Sequence, residues 1–227
     1  MSSSPQPAQV ANVIAPDAVE VDVDDTPLDG RVARAMRTKV AVVDAMLSLI
    51  AEGDLRPTAP RIAERAGVSL RSVFQHFDDM EALLATAAAR AVAQVRELVV
   101  PLPDRGTRGE RIDAWVGQRA RLYEAITPMR RAAALAEPFS PGLRALRDRA
   151  HAFNRLELER LFHDELGRLP VPERAEVIEA VEAGTIWESW EHLRTRSGLS
   201  KAAARRVFFR TLEALIPSSG GEHAPRP

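Results

Sequence analysis

The chain has 227 residues, 45% of them hydrophobic, which is enough for one large or two modest domains with a proper core. It has no cysteine, which rules out disulfides and thiolate chemistry, and no run of about eighteen apolar residues, which argues against a membrane span. The formal net charge of −1 conceals a division. Residues 1–30 hold six acids (Asp17, Glu20, Asp22, Asp24, Asp25, Asp29) and no Lys or Arg, whereas Arg31 to Phe77 holds eight Lys/Arg against four Asp/Glu.

Residues 1–30 mix Ser, Pro, Ala and Asp without helical period and read as a disordered acidic arm. VEVDVDD alternates, but no second strand candidate exists to pair with it. The start, MSSSPQPAQV, lacks the basic residues and apolar centre of a secretory signal, so a cytoplasmic protein is expected. From Arg31 the pattern is helical. Met36, Val40, Val43, Leu47 and Ile50 form one apolar stripe ending at Glu52-Gly53. Thr58 is placed to cap a short helix from Ala59 to Ala66, Gly67 to end it, and Ser69 to cap another running to about His76. Asp78 with Glu81 three residues on reads as a capping box for a long helix, DMEALLATAAARAVAQVRELVV, which PLPDRGTRG terminates. Further helices are predicted over roughly 109–126, 128–136, 141–167, 172–196 and 200–216, with prolines at their starts and glycines near several ends. The expectation is an all-α protein of about nine helices, closed by a disordered tail at 217–227.

The stretch RIAERAGVSLRSVFQHF, residues 61–77, holds two helices too short to persist alone in water. Ile62 and Ala66, and Val73 and Phe77 with Leu70 near them, are spaced to face a core shared with the first helix. Ala63 is small where two helices cross steeply, and Gly67 supplies the left-handed backbone of a tight turn. On the other face Arg71 and Gln75 lie one turn apart, with Ser72 and His76 in the adjacent row. Such a helix fits the major groove of B-DNA, where arginine grips a guanine edge and Ser or Gln reads neighbouring bases. Helix N-termini at Thr58, Ser69 and Asp78 are suited to phosphates, and Arg31, Arg34, Arg37 and Lys39 form a basic lead-in. Short helices joined by glycine also occur in proteins that bind no DNA, so a helical ligand- or partner-binding module is the alternative.

The order AVVDAMLSLIAEGD, TAPRIAERAGVS, SVFQHF, DDMEALL between Val40 and Ala88 resembles the DNA-binding domain of the tetracycline-repressor-like (TetR) transcriptional regulators. The resemblance implies a DNA-binding domain over 31–80, with the third helix in the major groove, and an effector-binding and dimerisation domain over 81–216. It implies DNA contacts from Arg37, Thr58, Ser69, Leu70, Arg71, Ser72, Phe74, Gln75, His76 and Met80. Two positions depart from the family pattern: Phe74 stands where tyrosine is usual, and Met80 where lysine is common. The implied protein is a ligand-responsive regulator, a repressor that binds a palindromic operator as a homodimer and is released by a small-molecule effector.

Beyond Gly106 no catalytic constellation is evident, and no enzyme activity or cofactor is expected. His151 and His163 are twelve residues apart with no cysteine or HExxH spacing, so no metal site is expected. Most Asp and Glu lie beside Arg on helical faces, the pattern of solvated ion pairs. Ile112, Trp115, Leu122 and Ile126 mark one apolar stripe; Leu143, Leu146, Ala150, Phe153 and Leu161 mark another. Trp115, Tyr123, Met129, Phe139 and Phe153 are candidates to line an effector pocket, although core packing alone would explain each. In the last two helices, Val177, Val181, Gly184 and Trp187 face a stripe of Val207, Phe208, Thr211, Leu212 and Leu215, with Gly198 and Ser200 as stop and cap between them. This resembles the terminal helix pair through which TetR-like proteins dimerise in a four-helix bundle; burial inside one chain is the alternative. A dimer would set two recognition helices about 34 Å apart on a two-fold site. The expected partners are double-stranded DNA, a second copy of the chain and a small molecule, with no membrane.

Overall fold

The computed structural model describes residues 30–218. The expected acidic arm, except Gly30, and the expected tail beyond Ser218 lie outside the described residues. In chain order the helices are α1 (Gly30–Ala51), α2 (Ala59–Ala66), α3 (Leu70–His76), α4 (Met80–Gln94), α5 (Arg108–Ala136), α6 (Pro141–Leu161), α7 (His163–Leu166), α8 (Val171–Thr185), α9 (Trp187–Glu191) and α10 (Lys201–Leu215). Single 3-10 turns occur at Arg96–Leu98 and Glu137–Phe139, and a π-turn at His192–Arg196. No strand occurs among the described residues, so the fold is all-α.

The chain divides into two units. One takes the described residues up to Arg96 together with Ala125–Arg149; the other takes Glu97–Glu124 and the described residues from Ala150 on. By sequence, α5 and α6 each give one end to each unit.

In the first unit, Val42, Val43, Met46, Leu49 and Ile50 of α1 meet Ile62 and Ala63 of α2, Val73 of α3, Phe77, and Leu83, Leu84, Ala87 and Ala88 of α4. Met129, Ala132 and Ala133 of α5 and Leu143 of α6 complete this cluster. Burying each large side chain contributes roughly 1.5–3 kcal/mol, and that burial sustains helices as short as α2 and α3. The buried row of α1 is turned from the predicted stripe. Val40 is 44% exposed, while Val42 and Met46 are covered. AVVDAMLSLI carries two adjacent apolar rows, and the helix buries the face centred between them.

In the second unit the core is Ile112, Trp115, Val116, Tyr123, Phe153, Leu158, Phe162, Leu166, Ile178, Val181, Trp190, Phe208 and Leu212. Tyr123, Trp190 and Phe208 form a tilted aromatic triad with centroids 5.3–6.4 Å apart. The Tyr123 hydroxyl donates to the Thr185 carbonyl at 3.0 Å.

Several predicted boundaries move. Helix α5 runs through Pro128 instead of breaking before it. An internal proline costs about 3 kcal/mol or more, but the turns on either side bury Leu122, Tyr123, Met129, Ala132 and Ala133, each turn in its own unit's core. The predicted helix over 172–196 breaks at Ile186, whose φ −70° and ψ 172° are extended. The break turns Trp187 and Trp190 inward, and Trp190 Nε1 donates to Glu124 at 2.9 Å. Helix α6 stops at Leu161 instead of continuing to Gly167, and α4 stops at Gln94, well short of Val100. Asp79, not Asp78, caps α4, accepting from Ala82 N at 2.7 Å.

Candidate nucleic-acid interface

The turn between α2 and α3 is fixed by backbone geometry. Gly67 adopts φ +66°, ψ +32°, a left-handed conformation that costs a side-chain-bearing residue about 1–2 kcal/mol. Its N–H donates to Glu64 O at 3.1 Å, and Val68 N–H to Ala63 O at 3.0 Å, so the last carbonyls of α2 are satisfied. Val68 packs on the core. Ser69 then caps α3: its Oγ accepts from Ser72 N at 3.1 Å and lies 2.9 Å from Ser72 Oγ. Thr58 stands at the N-cap of α2, with no side-chain bond to the helix.

Helix α3 is divided between two environments. Val73 is 1% exposed and Phe77, just past the helix, 5%. Leu70, Arg71, Phe74 and Gln75 face outward, with Leu70 at 43% and Phe74 at 50%. Leu70 thus lies away from the core in which its spacing had placed it. Ser72 and His76 are half-buried, and Ser72 is already occupied in the cap. The outward face therefore presents a guanidinium, a carboxamide and two apolar side chains: donors for base edges and surfaces for thymine methyls.

Charge around α3 is sorted by partner. Arg65 holds Glu52 through two bonds of 2.6 and 2.8 Å and also reaches Ser48; Arg61 pairs with Asp54; Arg90 pairs with Asp44 at 2.6 Å. The Arg65 hydrogen bond holds the Glu52 carboxyl below its ordinary pKa. Arg37 and Arg71 form no ion pair among the described residues, and Lys39 sits 5.5 Å from the centre of the Phe77 ring. The cations thus divide into those that brace α1, α2 and α4 and those open to a polyanion. Met80, at the first turn of α4, is half-buried against the core.

Residues 42–87 match the family described as bacterial regulatory proteins, tetR family, a span covering the buried part of α1 through most of α4. These residues form a TetR-type regulatory domain. The match supports a DNA-binding transcriptional regulator. A crystal structure of a transcriptional regulator from Rhodococcus sp. Rha1 shares the chain's fold, with TM-score 0.59, 17% identity, and 80% of this chain and 95% of that one covered. So does a structure from Mesorhizobium loti described as a TetR-family transcriptional regulator, with TM-score 0.58, 20% identity and 81% and 96% covered. No curated protein is similar enough in sequence to count as a relative. No helix among the described residues is long and apolar enough to cross a membrane, and no cluster there could hold a metal ion.

The five residues predicted to line a pocket are divided between the two units. Met129 belongs to the core of the first unit, and Phe139, also in that unit, is 81% exposed. Tyr123 is engaged in the aromatic triad, where burial pushes its phenol pKa up to about 12. Trp115 and Phe153 do meet one group, the Arg119 guanidinium, at 4.9 and 5.4 Å from their ring centres. Arg119 is fully buried, and none of its three nitrogens has a hydrogen-bond partner among the described residues. Burial pushes its pKa below the ordinary value, an effect that Tyr123 and Glu157 only partly oppose. Burying an ion costs several kcal/mol, and an aromatic face returns about 2 kcal/mol when desolvated. Arg119 is a site residue that the sequence motifs do not single out. The available signal was its place one turn from both Trp115 and Tyr123 on an otherwise apolar stripe.

The predicted dimer stripe also divides. Val181, Phe208 and Leu212 are fully covered within the chain, and Trp187 is 8% exposed. Val177, Gly184, Thr211 and Leu215 are half-buried, and Val207 is 37% exposed. The same apolar rows that would serve a partner first hold α8 against α10.

Proposed function

We propose that this chain is a TetR-type regulator, a homodimeric repressor that grips a two-fold symmetric operator and is released by a small-molecule effector. The observation that carries the DNA half is the outward face of α3, where Arg71 has no ion-pair partner among the described residues and stands one turn from Gln75. Within this reading Arg71 and Gln75 contact base edges, and Leu70 and Phe74 contact thymine methyls or sugars. Arg37 and Thr58 meet phosphate, Ser69 fixes the approach of α3, and Met80 stands beside the backbone. Acting on cellular DNA, it works in the cytoplasm.

Dimerisation is supported by composition as well as by family. Helix α8 carries Glu173, Glu176, Glu179 and Glu182, and α10 carries Lys201, Arg205, Arg206 and Arg210. A two-fold axis that sets α8 of one copy against α10 of the other brings opposite charges together around Val177, Val207 and Leu215. Release requires only that the effector bind better to the arrangement that misfits the operator. Helix α5 is suited to carry the change. Its first half is core to the second unit, and its last turns, with Met129, Ala132 and Ala133, are core to the first.

Selection of bound fragments from random DNA by the purified chain tests the reading. A palindromic consensus bound by two copies is expected. Failure to enrich any sequence, or enrichment of an asymmetric site bound by one copy, contradicts it.

A further inference from the structure

We propose that Arg119 anchors a buried carboxylate-binding site in the second unit, and that the effector is an amphipathic organic acid with an apolar body. This deepens the effector reading above, and rests on it for its regulatory consequence.

One face of α5 carries an excess of buried donors. Trp115, Gln118 and Arg119 lie within one turn of each other on the same face of α5. Trp115 Nε1, Gln118 Nε2 and all three Arg119 nitrogens are buried without an acceptor among the described residues. Gln118 Oε1 is already engaged, accepting from Val100 N at 2.8 Å. Buried polar groups are normally matched, so a concentration of one polarity on one face calls for an acceptor-rich guest. The Trp115 and Phe153 rings approach the guanidinium but offer it no hydrogen-bond acceptor.

Glu157 is 5% exposed but makes no hydrogen bond to Arg119; its ion pair, at 3.5 Å, is with Arg160. With Glu157 paired to Arg160, the Arg119 guanidinium is left as one uncompensated positive charge, which a monoanion neutralises and a phosphate dianion would overshoot. A planar carboxylate also matches the two-pronged donor geometry of arginine. Trp115 in addition lines a small cavity of about 10 Å³ with Leu158, Ile178 and Val181, where the charged side chains Arg155 and Glu182 pair with each other at 3.6 Å. Its walls are largely apolar, which selects the body of the guest. That volume holds roughly one water, so an acid enters only by parting α5 from α6 and α8, a displacement applied directly to the helix that enters the first unit.

The test is thermal unfolding of the full chain with millimolar phenylacetate or octanoate, beside phenylacetamide and octanamide, in the wild type and in Arg119→Met. Both acids are expected to raise the wild-type melting temperature and the amides to leave it unchanged. Arg119→Met is expected to weaken binding of the acids at least tenfold. Without ligand, Arg119→Met is expected to melt at or above the wild-type temperature, because an apolar side chain of similar length removes a buried charge. A fall of more than about 5 °C in that variant would show Arg119 to be a structural cation satisfied by water or Glu157, and would overturn the proposal. No response to either acid, or an equal response in Arg119→Met, overturns it too. If acids bind through Arg119 but DNA affinity is unchanged, the site stands and the effector reading falls. If a neutral compound releases DNA from wild type and Arg119→Met alike, the effector reading stands and this site falls.

Discussion

Gly184 of α8 lies so close to Thr211 of α10 that a Cβ on the glycine would stand 2.9 Å from Thr211 Cγ2. Thr211 cannot easily turn away, because its Oγ1 donates to Val207 O at 3.0 Å and holds the rotamer. Gly184→Ala is therefore expected to destabilise the chain by about 1 kcal/mol, as overpacking of roughly 1–3 kcal/mol exceeds the helix-propensity gain of about 1. In a Thr211→Ser background, which deletes Cγ2 and keeps the hydroxyl, the same substitution is expected to stabilise. A double-mutant cycle by urea unfolding reads the reversal of sign.

Glu124 accepts from Trp190 Nε1 at 2.9 Å and Arg194 Nε at 2.7 Å. Burial alone would raise the carboxyl pKa, but these bonds outweigh it and hold it below its ordinary value of 4.5. A group depressed in the folded state contributes stability that is fully present above its unfolded pKa and is lost as pH falls through the folded one. The wild type should therefore lose stability below about pH 4.5, and Glu124→Gln should show a flatter acid limb in urea midpoints measured against pH. At neutral pH Glu124→Ala should cost about 1.5–3 kcal/mol, the worth of hydrogen bonds to a charged acceptor.

Phe74 and Met80 stand where the family pattern has a hydroxyl and an ammonium. Restoring both phosphate contacts is worth about 1–3 kcal/mol of DNA affinity in total. Met80→Lys should steepen the dependence of log affinity on log salt by about 0.9, one phosphate's share. It should also cost up to about 1 kcal/mol of stability, since a cation at a helix start opposes the helix dipole. Phe74→Tyr should raise affinity without changing that slope, because its hydroxyl releases no counterion. Titrations of fluorescent operator DNA at several salt concentrations separate the two.

Local rules made much of the first unit legible. Gly67 and Ser69 punctuate the helix-turn-helix in the sequence as they do in the structure, and Val73 and Phe77 against Arg71 and Gln75 define inside and outside at helical spacing. Where two local signals competed, tertiary packing decided. Two adjacent apolar rows left the buried face of α1 ambiguous, and adjacent aspartates left the α4 cap ambiguous. Pro128 read as a break because the burial that outweighs it comes from distant residues. In the second unit, apolar spacing alone could not tell surface from interior. Phe139 emerged exposed, Phe208 and Leu212 buried, and Arg119, which no motif marks, wholly enclosed.

The central claim is that the outward side chains of α3 read DNA. It is tested most directly by the Arg71→Ala, Gln75→Ala double variant, comparing binding to the selected operator with binding to unrelated DNA. Both residues are exposed, so the variant should keep the wild-type circular dichroism, melting temperature and association state. Sequence preference should fall by at least tenfold, at roughly 1–3 kcal/mol per lost base contact, while salt-sensitive binding to unrelated DNA largely remains. A correctly folded double variant that still prefers the operator as the wild type does would contradict the account.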